Sequence, residues 1–325
     1  MNTFNAKVVL VTGGNSGLGF EAAAQLADAG FGTIILAARN EARGEQARKL
    51  LTERTGKDVF ETVAMDLGEL ESVDAAAAEL ATRGAQIDFL LLNAGISKPP
   101  PPERNRAGIE LTFAVANIGH HRFTMRLLEA GLLAGHARIV MAGSEAARGD
   151  LPGMKIPAFQ AYADEHHGGD LEAAFESMAR ASPPFVFKQM HTYAISKSFS
   201  AWWSAVLASK LPEGMTVNTV SPGSAPQTNF ARHSGFLMKH LMLPMMKVIG
   251  PMMSMAGTLE EAAHRYLTAA SYDDKTSGHF YASPPKKLVG PVSIQKQPHI
   301  ISRAYQQASW NVMVKLGEMG YPAAA

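Results

Sequence analysis

The 325-residue chain carries 30 Lys and Arg against 29 Asp and Glu, a balance that gives no reason to expect nucleic acid or an acidic partner. It has no cysteine, which excludes disulfides, thiolate catalysis and cysteine-ligated metal, and suits a reducing compartment such as the cytoplasm. The length fits one large α/β domain over 1–325 better than two comfortable ones.

An apolar run over Lys7–Thr12 is the first expected strand. It stands too close to the start for a basic region and an apolar stretch, so no secretory signal is expected. The turn Thr12-Gly13-Gly14-Asn15-Ser16-Gly17-Leu18-Gly19 follows, opening an amphipathic helix over Gly17–Ala29. Glycines let backbone approach a pyrophosphate, and the helix N-terminus aims its dipole and free amides at that charge. A tight turn that binds nothing fits the same residues. The spacing Gly13, Gly17, Gly19 is not Gly-x-Gly-x-x-Gly, and no Gly-Lys-Ser/Thr follows, which argues against a phosphate-loop NTPase.

Further strands are expected at Thr33–Ala38, Val59–Ala64, Ile87–Leu92, Ala137–Met141, Met215–Val220 and His279–Ala282, with helices such as Glu41–Thr55 and Glu69–Arg83 between them. The strands are apolar on both sides, as in a parallel sheet covered by helices on both faces. The alternation predicts a doubly wound sheet of about seven strands, with ligand at its carboxyl edge. An insertion at 145–190 and a methionine-rich stretch at 225–257 exceed that frame. A C-terminal extension, 284–325, ends in a helix expected over roughly Ile300 to Leu316.

Four positions along this order carry chemistry. Asn117 falls inside an apparent helix, where asparagine is a poor helix former, so it faces solvent or marks a distorted backbone. Ser144 lies just past the fifth strand, outside any Gly-x-Ser-x-Gly elbow, and reads equally as a turn residue. Tyr193 and Lys197 stand four apart, on one helix face. A neighbouring ammonium favours the phenolate, so the Tyr193 pKa is expected to fall toward neutrality, giving a group that exchanges protons with a carbonyl or alcohol oxygen. By itself such a pair also suits a surface tyrosine beside a solvated lysine.

Thr12 to Gly19, Asn93-Ala94-Gly95, Asn117, Ser144 and Tyr193 with Lys197 occur in the order of one family's motifs. The chain resembles the short-chain dehydrogenases/reductases, of the non-extended type, through most of 7–223 and weakly after 257. The resemblance implies a Rossmann-type fold and hydride transfer between a nicotinamide and a carbonyl carbon. It implies Tyr193 as general acid/base, Ser144 holding the substrate oxygen, Lys197 on the nicotinamide ribose, and the Asn117 carbonyl holding a water in a proton relay. Thr12, Gly13, Asn15, Ser16, Gly17, Leu18, Gly19, Asn93, Ala94 and Gly95 would cradle the dinucleotide. Asp66 and Leu67 would meet the adenine, Pro222 and Gly223 would turn over the nicotinamide, and Thr228 would contact its carboxamide or phosphates. NAD-preferring relatives carry an acid where Ala38 stands. Arg39 follows it and suits a 2′-phosphate, so NADP(H) is the expected cofactor, although Arg39 also reads as a solvated helix start. The competing readings are a non-catalytic NADP(H)-binding sensor or scaffold and a non-redox epimerase or dehydratase.

The Ala-Arg-Asn-Glu-Ala-Arg-Gly and Asn-Ile-Gly-His-His stretches look most like retinol dehydrogenases and related carbonyl reductases, implying a lipophilic aldehyde, ketone or alcohol. Phe236–Gly257 holds seven methionines and reads as a lid over an apolar pocket, an interfacial membrane helix over 236–256, or core packing. The 145–190 insertion resembles one in monomeric carbonyl reductases. It suggests a monomer, with a helix over Leu171–Ala181 and Ile156, Phe159, Phe185, Val186 and Phe187 as apolar underside. Asp164-Glu165-His166-His167 with Asp170, and His120-His121, read as solvated loops rather than metal sites.

Overall fold

A computed structural model describes residues 7–84, 86–224, 257–273 and 275–321. Its strands are β1 (Val8–Thr12), β2 (Thr33–Ala38), β3 (Phe60–Ala64), β4 (Ile87–Leu92), β5 (Leu133–Ala142), β6 (Thr216–Val220), β7 (Phe280–Ala282) and β8 (Ser293–Ile294). They form one sheet in the order β3-β2-β1-β4-β5-β6-β7-β8. Pairing is parallel throughout except between β7 and β8. The order reverses between β1 and β4, which opens a crevice at the carboxyl edge.

Among the described residues the helices are α1 (Gly17–Asp28), α2 (Glu41–Thr55), α3 (Leu70–Arg83), α4 (Leu111–Phe113), α5 (Gly119–Glu129), α6 (Phe159–His167), α7 (Leu171–Arg180), α8 (Gln189–Ala208), α9 (Leu259–Ala269) and α10 (Arg303–Gly317). A π-helical turn, Ala114–Ile118, joins α4 to α5. Side chains alternate across each strand, so β1 feeds two cores. Leu10 belongs to one core with Val73 of α3, Phe123 of α5, Phe199 and Trp202 of α8 and Val312 of α10. Val9 and Val11 pack with Ala23 and Leu26 of α1, Leu51 of α2 and Tyr266 of α9. Local signals set the helix ends. Asn40 caps α2 by accepting from the Arg43 amide at 3.0 Å, and Gly56 ends it at φ 68°.

Several expectations need correction. The eighth strand is a two-residue antiparallel edge, too short and too exposed to show a period. β5 starts at Leu133, four residues earlier than expected, because Gly135 and the exposed His136 interrupt its apolar run. The insertion holds two helices, and Asp164 to His167 form the end of α6 instead of a loop. Val186, expected on the apolar underside, is 70% exposed.

The insertion and the C-terminal helix grip α8 through aromatic rings. Phe175 stacks on Trp202 at 5.3 Å between centroids, and Phe159 meets Trp202 edge-on at 5.2 Å. Tyr305 of α10 joins at 5.5 Å from Phe159. Such buried pairs add roughly 0.5–1.5 kcal/mol each beyond area burial. The helix that carries Tyr193 and Lys197 is therefore held rigidly from behind.

Candidate active site

The site is built where the β1 and β4 ends meet. The Asn93 amide donates to the Thr12 carbonyl at 2.9 Å, and the Ala94 N–H donates to the Thr12 hydroxyl at 3.0 Å. These bonds lock the glycine turn to Asn93-Ala94-Gly95. Gly13 sits at φ 67°, and a Cβ on Gly19 would run into the Gly13 carbonyl oxygen and the Asn93 amide. Only glycine allows that approach of α1 to the turn. Ser16 is the exposed N-cap residue of α1 and makes no side-chain bond to the helix, while Asn15, Gly17 and Leu18 stay half-buried around it.

At the next strand end, Ala38 is buried and the Arg39 side chain is 72% exposed, 4.0 Å from the Asp66 carboxylate. Asp66 also accepts from the Gly68 amide at 2.9 Å. Leu67 is buried in the core beneath them.

Beyond β5, Ser144 caps a short 3-10 turn, Glu145–Arg148, and its hydroxyl hydrogen-bonds the Tyr193 phenol. One helical turn along α8, Lys197 donates to the Ala142 carbonyl at 2.7 Å, with its ammonium 5.8 Å from the Tyr193 ring centre. Gly95 lies beside that ammonium; a Cβ there would stand 3.9 Å from it. The sheet thus gathers Thr12, Gly95, Ser144, Tyr193 and Lys197 at one edge, although they span most of the chain.

Asn117 sits within the π turn and is fully buried, which removes its solvent-facing reading. Its amide donates to the Ser196 carbonyl and the Ser200 hydroxyl, both at 3.0 Å, and its oxygen accepts from the Ser196 hydroxyl at 2.6 Å. The side chain is thereby spent on fastening the irregular turn to α8. A π turn leaves backbone carbonyls without their usual helical donors.

The electrostatics differ from the expectation for Tyr193. Burial pushes its phenol up to about 12; the Ser144 hydrogen bond opposes that rise and the Glu145 charge adds to it. The Lys197 ammonium turns to Ala142 and does not win against desolvation. Burial brings Lys197 itself down to about 8. At neutral pH the phenol is a held proton beside a lysine that is still mostly charged.

The sequence pattern of the short chain dehydrogenase family matches residues 7–163. The WW domain-containing oxidoreductase of Pongo abelii is 32% identical over 233 residues, covering 70% of this chain and 51% of that protein. Retinol dehydrogenase 13 of Homo sapiens is 29% identical over 234 residues, covering 72% of this chain and 63% of that one. The chain belongs to the short-chain dehydrogenase/reductase family. It spans about half to two thirds of the length of these relatives. The L-sorbose reductase from Gluconobacter frateurii, solved with NADPH and L-sorbose, shares this family's fold at a TM-score of 0.64. That match has 19% identity and covers 90% of this chain and 100% of the other.

Several members of the site were not legible in the sequence. His120 and His121, read as a solvated loop, are fully buried in α5. His120 Nδ1–H donates to the Ala116 carbonyl at 3.1 Å, which leaves Nε2 to accept from the Thr12 hydroxyl at 2.9 Å. His121 Nε2–H donates to the Met319 carbonyl at 2.6 Å while Nδ1 accepts from Trp203 Nε1 at 3.0 Å. Both rings are therefore neutral and point apart. Burial lowers them to about 3 and about 4 respectively. Glu145, Arg265, Ser221 and Ser283 also meet beneath the site. Their partners lie 76 to 138 residues away, so no local pattern could reveal them. Pro222 and Gly223 follow β6 above this cluster, with the Gly223 amide on the Ser221 hydroxyl at 3.2 Å. Thr228 and the methionine-rich segment to residue 256 lie outside the described residues. Among the described residues, no helix is long and apolar enough to cross a membrane.

Proposed function

We propose that the chain is an NADP(H)-dependent oxidoreductase that interconverts a lipophilic ketone or aldehyde and its alcohol. The observation that carries this reading is the Ser144 hydroxyl on the Tyr193 phenol, with Lys197 one turn away and the glycine turn across the same crevice.

The residues fit a dinucleotide. The turn at Gly13 and Gly19 admits no side chain, and the α1 N-terminus faces outward with Ser16 uncommitted. Thr12 to Gly19 and Asn93 to Gly95 would hold the phosphates and ribose, Asp66 the adenine, and Pro222 with Gly223 the nicotinamide side. The exposed Arg39 guanidinium, with no acid at Ala38, would take a 2′-phosphate. The nicotinamide of that dinucleotide would supply or accept a hydride at the substrate carbon.

The chain's own side chains handle the oxygen. Tyr193 holds its proton at neutral pH and gives it to the oxygen during reduction, while Ser144 fixes that oxygen by a hydrogen bond. Lys197 is charged below about pH 8 and favours the phenolate left behind. The Asn117 turn supplies backbone acceptors next to α8 for a relay toward Lys197. The likeness to a retinol dehydrogenase and the methionine content of 236–256 support an apolar substrate. We also read the chain as a monomer, because α7 and α10 lie over α8 with the aromatic cluster between them. A dimer mass in solution would count against that.

The test is NADPH oxidation, followed by absorbance, across lipophilic aldehydes and ketones of graded size. Tight NADPH binding with no carbonyl reduced would favour a sensor or scaffold. A product with no net redox change would point to an epimerase or dehydratase.

A further inference from the structure

The Glu145 carboxylate, next in sequence to Ser144, is 1% exposed yet meets four donors, from two loops and from helix α9. Its Oε2 accepts from the Ser221 hydroxyl at 2.5 Å. Its Oε1 accepts from the Ser283 amide at 3.1 Å, the Ser283 hydroxyl at 2.9 Å and Arg265 Nη1 at 3.4 Å. Arg265 continues the web to the Ser221 carbonyl at 3.0 Å and the Gly290 carbonyl at 2.9 Å. From the same 3-10 turn Arg148 donates to the Ser283 carbonyl at 2.6 Å and the Lys287 carbonyl at 2.8 Å. The Ser221 hydroxyl, while donating to Glu145, accepts from the Gly223 amide.

We propose that Glu145 is a positioning residue of the active site. Its carboxylate ties the Ser144 turn, the Pro222–Gly223 turn and the end of β7 into one floor beneath the phenol. This inference rests on the reductase reading. A staple between loops needs no ion, and a buried carboxylate is costly to desolvate even when paired. The charge has a use, because its field reaches the Tyr193 phenol that Ser144, the preceding residue, holds. Glu145 raises the Tyr193 phenol, behind burial and against the Ser144 bond, and so helps the phenol keep its proton until the substrate oxygen takes it. The other charged or titratable groups around this spot include Arg148, Asp150 and His299 about the 3-10 turn, Lys197 on α8, and Arg265 and Tyr266 on α9. Ser144 thus gains a fixed direction, and the two turns that flank the reacting centre are set against each other by one side chain.

Glu145→Gln keeps the size and removes the charge; Glu145→Asp keeps the charge and shortens the reach. With NADPH and a reducible carbonyl, Glu145→Gln is expected to lower kcat about tenfold. It should also move the high-pH decline of the rate to lower pH by about half a unit or more, with the KM for NADPH within twofold. Glu145→Asp should lose kcat but return the decline toward its wild-type pH. A Glu145→Gln enzyme with a wild-type pH profile overturns the proposal, whether or not kcat falls. If the wild type reduces no carbonyl, the reductase reading fails by itself, and hydrogen exchange then decides. Glu145→Gln should speed exchange at 221–224 and 283–290, and unchanged exchange in both stretches overturns the tie.

Discussion

A phenol pushed up by burial stays protonated at neutral pH, which is the form the proposed reduction needs at Tyr193. Tyr193→Phe removes the donor and leaves the ring's packing intact. The expected outcome is a loss of roughly 10²–10⁴ in kcat with NADPH affinity, read by fluorescence titration, changed little. A variant with half the wild-type rate would end the assignment. Cofactor choice turns on another single side chain. The Arg39 guanidinium is mostly in water, and its 4.0 Å approach to Asp66 is too long and too exposed to hold it. Arg39→Ala should weaken NADPH by roughly tenfold or more, the worth of a charge-assisted bond, and leave NADH unchanged. Equal losses for both cofactors would place Arg39 away from the 2′-phosphate.

At the scale of the element, the π turn at Ala114–Ile118 and α8 behave as one piece. Asn117 joins them with three hydrogen bonds in a fully dry setting, and an unmet buried partner costs about 1–3 kcal/mol. Asn117→Ala should therefore cost about 2–3 kcal/mol in urea unfolding and slow turnover. A stability within 0.5 kcal/mol (about the scatter of neutral surface changes) would show that the turn is held by packing alone. The elements that could be read from the sequence were those with a strong period or a chemical end signal. α2 was recovered from Glu41 to Thr55, and β2 and β4 to the residue. α6 was missed because only Phe159 and Ala163 are buried along it, and Phe159 meets rings from α7, α8 and α10 that no local window contains.

Over the whole molecule, the buried histidine pair makes stability depend on pH in a direction opposite to a surface histidine that gains an acidic partner. His120 and His121 have folded values near 3 and 4, below the ordinary value of 6.5. As pH falls through 6.5 the unfolded chain takes protons that the native rings refuse, so stability is lost until the folded values are reached. Each ring contributes a slope of about 1.4 kcal/mol per pH unit between roughly pH 6 and pH 4. Urea unfolding at pH 7, 6 and 5 measures this, and a flat stability over that range would show that the rings are protonated in the native protein. The same two rings connect distant parts: His120 links the glycine turn to the π turn, and His121 links α5 to Trp203 and to Met319 just past α10.

The sequence alone determined the doubly wound sheet, the glycine turn and the spacing of Tyr193 and Lys197, because each depends on residues close together in the chain. A two-sided apolar run, a missing side chain and an i, i+4 step are all local facts. Only the tertiary structure decided the charge state of the phenol, the neutral histidines and the Glu145 web. Those depend on how much water is excluded and on which donors arrive from more than 70 residues away, and desolvation is a property of the packed molecule.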